Sequence, residues 1–499
     1  MPVCWPFDAI TITITHVLTS RRTFVKTAAA ALAAPRLFAQ SPDLARLTIA
    51  EASALLRTRA ASPVDLTRAC LERIARYNPQ LNAYITVLAD QALADARVKE
   101  QEIQRNGQRG PLHGIPIALK DNIDTAGILT TGGSEVFKDR VPAEDAEVAR
   151  RLKNAGAILL GKLNLIEFAY GGNPVVTHYG TVHNPWALDR TPGGSSSGPG
   201  AATSADLCFG SLGTDTAGSI RNPAANCSLT GLKPTYGRAS LRGIIPLSWT
   251  LDHVGPIAKS VEDAALLMNA IAGYDPLDPT TADVPVPDYT RALGAPTSQL
   301  RLGRPATYWA GLHPEVEQAT TAALDMLRAL AAGVAPVELP NAINGAQIWG
   351  PEAYAYHAPW FSKTPEKYQQ ATRRQLDQAA AVTSSTYADA LRQVSRLRRE
   401  IRGAFANVEL LVLPTVVNPP GLINAPASGG GPGRNNNAPF DVFGLPAISI
   451  PCGFTTGGLP IGIQIVGAPF AESTVLALAH AYQQKTDWHN RRPQLAAPE

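Results

Sequence analysis

The chain has almost no surplus of charge. Its 44 Lys and Arg nearly balance 41 Asp and Glu, and charged residues make up only 17% of the 499 positions. No basic stripe that would follow a nucleic-acid backbone is present, so nucleic-acid binding is not expected. Cysteine is scarce at five residues, with no CxxC pair and no histidine at metal-ligand spacing. Cys70, Cys208, Cys227 and Cys452 have wide spacing and apolar neighbours, which points to buried free thiols; Cys4 stands apart near the start. No metal and no cofactor are indicated. Tandem repeats are also missing. Glycine and proline, by contrast, are plentiful at 41 each and scattered, which suits a loop-rich enzyme rather than disorder. A chain this long can bury a large core, and length alone would fit two or three domains.

The N-terminus reads as a targeting segment over residues 1–40. Ser20-Arg21-Arg22-Thr23-Phe24-Val25-Lys26 precedes the mild apolar stretch Thr27–Ala34, and small residues lead to a cleavage point near Ala39-Gln40. Paired arginines followed by Phe and Lys resemble a twin-arginine export signal, so a periplasmic or secreted protein is expected. The apolar stretch is too short and weak for a membrane anchor. Thr11–Thr15 alternates like a strand, and translation from near Val17 would shorten the unusually long start.

Periodicity divides the remainder, 41–499. Residues 48–105 read as helices, opened by a Thr48/Glu51 capping box and by Ser62 with Pro63 at the first helical position. Leu66, Ala69, Cys70, Arg73, Ile74 and Tyr77 form one stripe that reads as core packing. Across 111–270, short apolar runs (Ile115–Leu119, Ala157–Leu160) alternate with helical patterns (Ala143–Ala155, Val261–Ala272), the mark of an α/β sheet. From about 285 to 405 the pattern is mostly helical, clearest over Glu315–Ala332 and Tyr387–Ala406. Strand character returns at Leu410–Pro414, Ala447–Pro451 and Ile461–Val466, and Glu472–Thr486 closes as a helix. Late strands rejoining an early sheet predict one large domain, a central mixed sheet covered by helices, with a helical excursion. Ala427–Asn437 is low in complexity and predicts a mobile loop.

Chemistry concentrates in Thr191-Pro-Gly-Gly-Ser-Ser-Ser-Gly-Pro-Gly200 and Leu212-Gly-Thr-Asp-Thr-Ala-Gly-Ser-Ile-Arg-Asn-Pro223. Ser195 and Ser219 each end a glycine turn, and such turns can aim amides and hydroxyls at one point. A serine hydroxyl is a weak nucleophile until a base takes its proton. Lys120 ends the apolar run Ile115-Pro-Ile-Ala-Leu119, and desolvation there would favour the neutral amine a base requires. A lone lysine in such a place is ordinarily a surface strand end; two serine turns beside it change that reading. Ser195 could relay a proton between Lys120 and Ser219, while the amides of Thr216, Ala217, Gly218 and Ser219 could face a developing oxyanion.

At these residues the chain resembles the amidase signature family over roughly 45–490. Gly114–Asn122, Gly161–Ala169, Asn184-Pro185-Trp186, Thr191–Gly198, Gly213–Pro223, Gly231–Gly237, Leu251–Pro256 and Gly444–Pro451 carry the likeness. The resemblance implies amide hydrolysis by a Ser–cis-Ser–Lys triad: Lys120 as base, Ser195 on a cis peptide bond, and Ser219 as the acylated nucleophile. It implies that Asp215 and Arg221 hold the nucleophile loop without acting chemically, and that Ala169 meets a small-molecule amide. A homodimer is possible. Departures are Ala217 where relatives carry glycine, Pro199 after the Ser-Gly run, and Asp441 in place of the commoner asparagine, which could alter pocket charge.

Other readings exist. Gly194-Ser-Ser196-Ser-Gly198 fits the G-x-S-x-G nucleophile elbow, but that mechanism needs a histidine loop absent around His253, His313, His357, His480 and His489. The amidase subunit of a tRNA-dependent amidotransferase shares the triad, and an inactive binding protein on the same scaffold is a further alternative. Tyr354-Ala-Tyr-His-Ala-Pro-Trp360 reads equally as an aromatic pocket lining or as ordinary packing.

Overall fold

A computed structural model of the chain describes residue 1 and residues 43–170, 177–424 and 435–496. The arginine pair and its apolar stretch, Thr11–Thr15, Cys4 and residues 427–434 of the low-complexity loop lie outside the described residues.

Two helices, α1 (Ile49–Thr58) and α2 (Pro63–Leu81), open on reciprocal capping boxes, Thr48 with Glu51 and Ser62 with Asp65. A strand not foreseen in this region, β1 (Tyr84–Val87), follows, then α3 (Ala89–Asn106), β2 (Pro116–Lys120), α4 (Glu147–Asn154) and β3 (Ile158–Leu163). The start of α4 falls four residues after the predicted Ala143. Asp145 instead accepts the Ala126 amide at 2.8 Å and the Ala146 amide bonds the Asp124 carbonyl at 2.9 Å, so these residues fasten a loop. Next come α5 (Ser197–Ser204), β4 (Gly210–Asp215), α6 (Arg221–Asn226), β5 (Thr230–Lys233), β6 (His253–Ala258) and α7 (Val261–Ile271).

The segment 285–405 is not wholly helical. It holds β7 (Arg301–Arg304), α8 (Pro314–Ala329), β8 (Gly333–Pro336), α9 (Ala346–Phe361), α10 (Gln370–Ala380) and α11 (Ser384–Glu400). The two strands are only four residues each, too short to show a period of two. Then follow β9 (Leu410–Pro414), α12 (Ala438–Val442), β10 (Ala447–Phe454), β11 (Pro460–Gly467) and α13 (Glu472–Gln483).

All strands join one mixed sheet of eleven, in the order β1-β3-β2-β4-β6-β5-β10-β11-β9-β7-β8. β2 runs parallel to β3 and β4, whereas β4 with β6, β5 with β6 and β10 with β5 are antiparallel. Every residue of β2, β4, β5 and β6 is buried, as central strands covered on both faces must be. The register sets Leu119 opposite Leu212, so the carboxyl ends of β2 and β4 finish side by side. Clefts in α/β sheets form outside such strand ends. From Leu44 onward the described residues make one compact unit. Cys70, Cys208, Cys227 and Cys452 are buried free thiols.

Candidate active site

Lys120 is the last residue of β2 and is completely buried. Its Nζ lies 2.8 Å from Ser195 Oγ and 2.8 Å from Thr214 Oγ1. Thr214, on the adjoining strand, also accepts from Asn122 Nδ2 at 3.1 Å. Burial pushes the amine from its usual 10.5 down to about 7, against the opposing pull of Asp252 and Asp215. A lysine in this state can lose its proton near neutrality, which a surface lysine cannot.

The peptide bond between Gly194 and Ser195 is cis. Ser195 and Ser196 part company here. Ser196 Oγ donates to the Thr214 carbonyl at 3.1 Å and accepts the Thr214 amide at 3.3 Å, so it fastens the start of α5 to β4. Only Ser195 of the two turns its hydroxyl to the lysine. α5 begins at Ser197 and accepts Pro199 inside its first turn, where a missing N–H goes unnoticed. Gly198 allows a close approach: a Cβ there would sit 2.4 Å from the Asn164 carbonyl oxygen.

Beyond β4 the chain turns sharply through Thr216-Ala217-Gly218-Ser219 into α6. Gly218 has φ +114, a backbone setting that disfavours side chains, whereas Ala217 is not among the positive-φ residues and fits without glycine. The turn wraps the Asp215 carboxylate, which accepts the amides of Gly218, Ile220 (3.1 Å) and Arg221 (3.4 Å). This corrects one sequence expectation. The Gly218 amide is committed to Asp215 and is not free for an oxyanion, whereas the amides of Thr216, Ala217 and Ser219 have no protein acceptor among the described residues.

Arg221 is fully buried beneath this turn. Nε and Nη2 reach the two Asp215 oxygens at 3.0 and 3.1 Å. Nη2 also donates to Asp441 Oδ2 at 2.6 Å, and Nη1 to the Asn437 carbonyl (3.0 Å) and Gln464 Oε1 (3.2 Å). Burial alone would raise the Asp215 carboxyl, but Arg221 outweighs it and holds the group well below the usual carboxylate range. Asp441 lies behind the turn and does not line the cavity, so it does not set pocket charge as anticipated.

Ser195, Ser219, Thr216 and Ala217 open on a cavity of about 600 Å³. Ala169, held at φ 57, lines it too. So do residues not anticipated from sequence: Tyr170, Asn222 and Asn226 beside the serines, Leu247, and, from α9 and α10, Trp349, Gln375 and Gln378. Apart from Tyr170, no ionisable side chain lines it among the described residues. The glutamine pair on α10 could have been suspected only from its i, i+3 spacing, a weak signal. The aromatic stretch 354–360 takes its packing reading: Tyr354, Tyr356, His357 and Trp360 cluster with Phe137, Phe168, Phe361 and Tyr368. None of the five histidines considered for an elbow mechanism lines the cavity. His253 Nδ1 faces the Asp215 carbonyl at 3.2 Å, and burial pushes His357 down to about 3.

Comparison with known proteins follows the same lines. The family model described as Amidase matches residues 65–476. A glutamyl-tRNA(Gln) amidotransferase subunit of Moorella thermoacetica is 39% identical over 486 residues, covering 91% of this chain and 99% of that protein. Among solved structures, native peptide amidase from Stenotrophomonas maltophilia superposes with TM-score 0.78 at 33% identity, covering 92% of this chain and 99% of that one. A chain from a vestigial protein complex bearing on the origins of an s-triazine catabolic enzyme reaches TM-score 0.83 at 30% identity, covering 90% of this chain and 100% of its own.

Proposed function

The chain belongs to the amidase family, and on that premise we propose that it hydrolyses an uncharged carboxylic amide through an acyl-enzyme on Ser219. The observation that carries the reading is the 2.8 Å contact between the buried Lys120 amine and Ser195, at the rim of the cavity that Ser219 shares. Neutral Lys120 donates one N–H to Thr214 and turns its lone pair to the Ser195 hydroxyl. Ser195 in turn takes the proton from Ser219 as its Oγ attacks the carbonyl carbon. The amides of Thr216, Ala217 and Ser219 receive the oxyanion. Collapse breaks the C–N bond, and the proton held by Lys120 returns through Ser195 to the departing nitrogen, which leaves poorly without it. Water then repeats the sequence on the acyl carbon and frees the acid.

A second reading, the amidotransferase subunit, is favoured by the 37–40% identity to several proteins of that name. What separates the two is the substrate. A free amino-acid amide carries an ammonium and a carboxylate that need charged partners when buried. The described lining offers instead an aromatic face at Trp349 and neutral carboxamides at Asn222, Asn226, Gln375 and Gln378. Ammonia release by the purified chain alone, across alkyl, aryl and peptide carboxamides with free L-glutamine as comparator, tests this. The expected kcat/KM for the best neutral amide is roughly 10²-fold or more above that for glutamine. Preference for glutamine, or activity only with added partner subunits, would transfer the case to the second reading.

A further inference from the structure

Two carboxylates share the Arg221 guanidinium, and their surroundings are unequal. Asp215 accepts five donors: three backbone amides of the nucleophile turn, Arg221 Nε and Arg221 Nη2. Asp441 accepts one, Arg221 Nη2, and its Oδ1 is buried without a hydrogen-bond partner. That oxygen lies 3.5 Å from His253 Nδ1. The His253 ring already uses Nδ1–H on the Asp215 carbonyl, and its Nε2 has no partner. Burial, helped by the cations around it, drives the ring well below its ordinary value, so it brings no charge to Asp441. Arg221 has no donor left: all five N–H groups are engaged by Asp215, Asp441, Asn437 and Gln464.

A buried carboxylate with one donor and an orphan oxygen is the costlier of the pair to ionise. A protonated Asp441 carboxyl has the shape and neutral charge of an asparagine amide, so Asp441→Asn mimics that state. We propose that Asp441 is a positioning residue which, with its proton in place, leaves Arg221 to hold Asp215 under the nucleophile turn, and that loss of this proton sets an alkaline limit on catalysis. Once ionised, Asp441 competes with Asp215 for one guanidinium, and the three amides that shape the approach to Ser219 lose their anchor. Burial is the main reason the Asp441 carboxyl is raised well above its usual range, with Arg221 opposing and Asp215 reinforcing.

Other charged groups surround this cluster. Lys233, from β5, donates to the Pro234 and Leu445 carbonyls and is pushed by burial to about 7. Arg398, from α11, donates to the Val442 carbonyl at 3.1 Å and lies over the Tyr236 ring. Glu472, at the start of α13, accepts the Thr235 amide at 2.8 Å and lies 3.9 Å from Arg238. None of these contacts is removed by Asp441→Asn, although the variant also relieves Lys233 of the Asp441 charge.

The inference rests on Ser219 as nucleophile, and its test is the pH profile of kcat/KM for wild type and Asp441→Asn between pH 5 and 10. Both should show an acidic limb near 7, where Lys120 gains its proton; only wild type should show the alkaline limb. Thermal unfolding supplies a second readout. The unfolded Asp441 carboxyl ionises near 4, and the folded one later, so wild type loses stability as pH climbs past the unfolded value. The Tm advantage of Asp441→Asn should therefore widen from pH 5 to pH 8. An alkaline limb that persists in the variant would overturn the inference, as would a lower Tm at both pH values or failure of the variant to fold. Retained activity in Ser219→Ala would strike the parent reading instead, whatever the Asp441→Asn profile.

Discussion

On the floor of the cavity, Ser195, Thr216, Asp215 and Arg221 are buried, and the side chain of each has a named protein partner. On the wall formed by α9 and α10, Trp349 and Gln375 are half-buried and Gln378 is exposed. Neither glutamine carboxamide bonds a described protein group. The floor consists of three sheet-anchored segments whose hydrogen bonds fix one geometry. The wall is a pair of helices that present side chains to whatever enters. The difference divides the labour: a satisfied network holds reacting groups in register, whereas unsatisfied side chains can spend their hydrogen bonds on a ligand.

If that division is right, damage to the floor should strike turnover. Ser219→Ala should lower kcat by roughly 10⁴–10⁶-fold with an unchanged fold by circular dichroism. Residual activity within about tenfold would mean that the nucleophile lies elsewhere. On the wall, Trp349→Ala should raise KM for the best neutral amide about tenfold while kcat moves less than about threefold. A matching collapse of kcat would erase the distinction between the two regions. The smallest effect is expected where the floor is structural only. Ser196→Ala removes the link from α5 to Thr214 and should cost about 1 kcal/mol in denaturant unfolding, with kcat within about threefold of wild type. A loss of several hundredfold would make Ser196, not Ser195, the relay.

The same contrast explains what could be read from the residues alone. The floor is written in short segments: two glycine turns and a lysine closing an apolar run carry the chemistry within a few positions each. Their meeting point follows from adjacent parallel strands, of which only β2 announces itself by an apolar run; β4, Gly-Ser-Leu-Gly-Thr-Asp, holds one large apolar residue and gives no such signal. The Gly218 amide escaped because a turn's spacing does not tell which of its N–H groups a neighbouring carboxylate will claim. The wall escaped because Trp349, Gln375 and Gln378 lie more than a hundred residues from Ser219 on two different helices, with no motif joining them. β7 and β8 were hidden for a simpler reason: four residues are too few to display alternation.

The reach of Arg221 along the chain has a consequence for how the enzyme is made. Its bonds to Asn437, Asp441 and Gln464 span 216, 220 and 243 residues. Contacts of such separation form late, because the intervening chain must first be closed into a loop. A growing polypeptide that has emerged as far as β9 already holds Lys120, Ser195 and Ser219, and the Asp215–Arg221 pair under the turn, yet the bonds from Arg221 to Asn437, Asp441 and Gln464 are still unmade. The turn that carries Ser219 thus gains its full set of supports only when the last strands and helices of the chain dock.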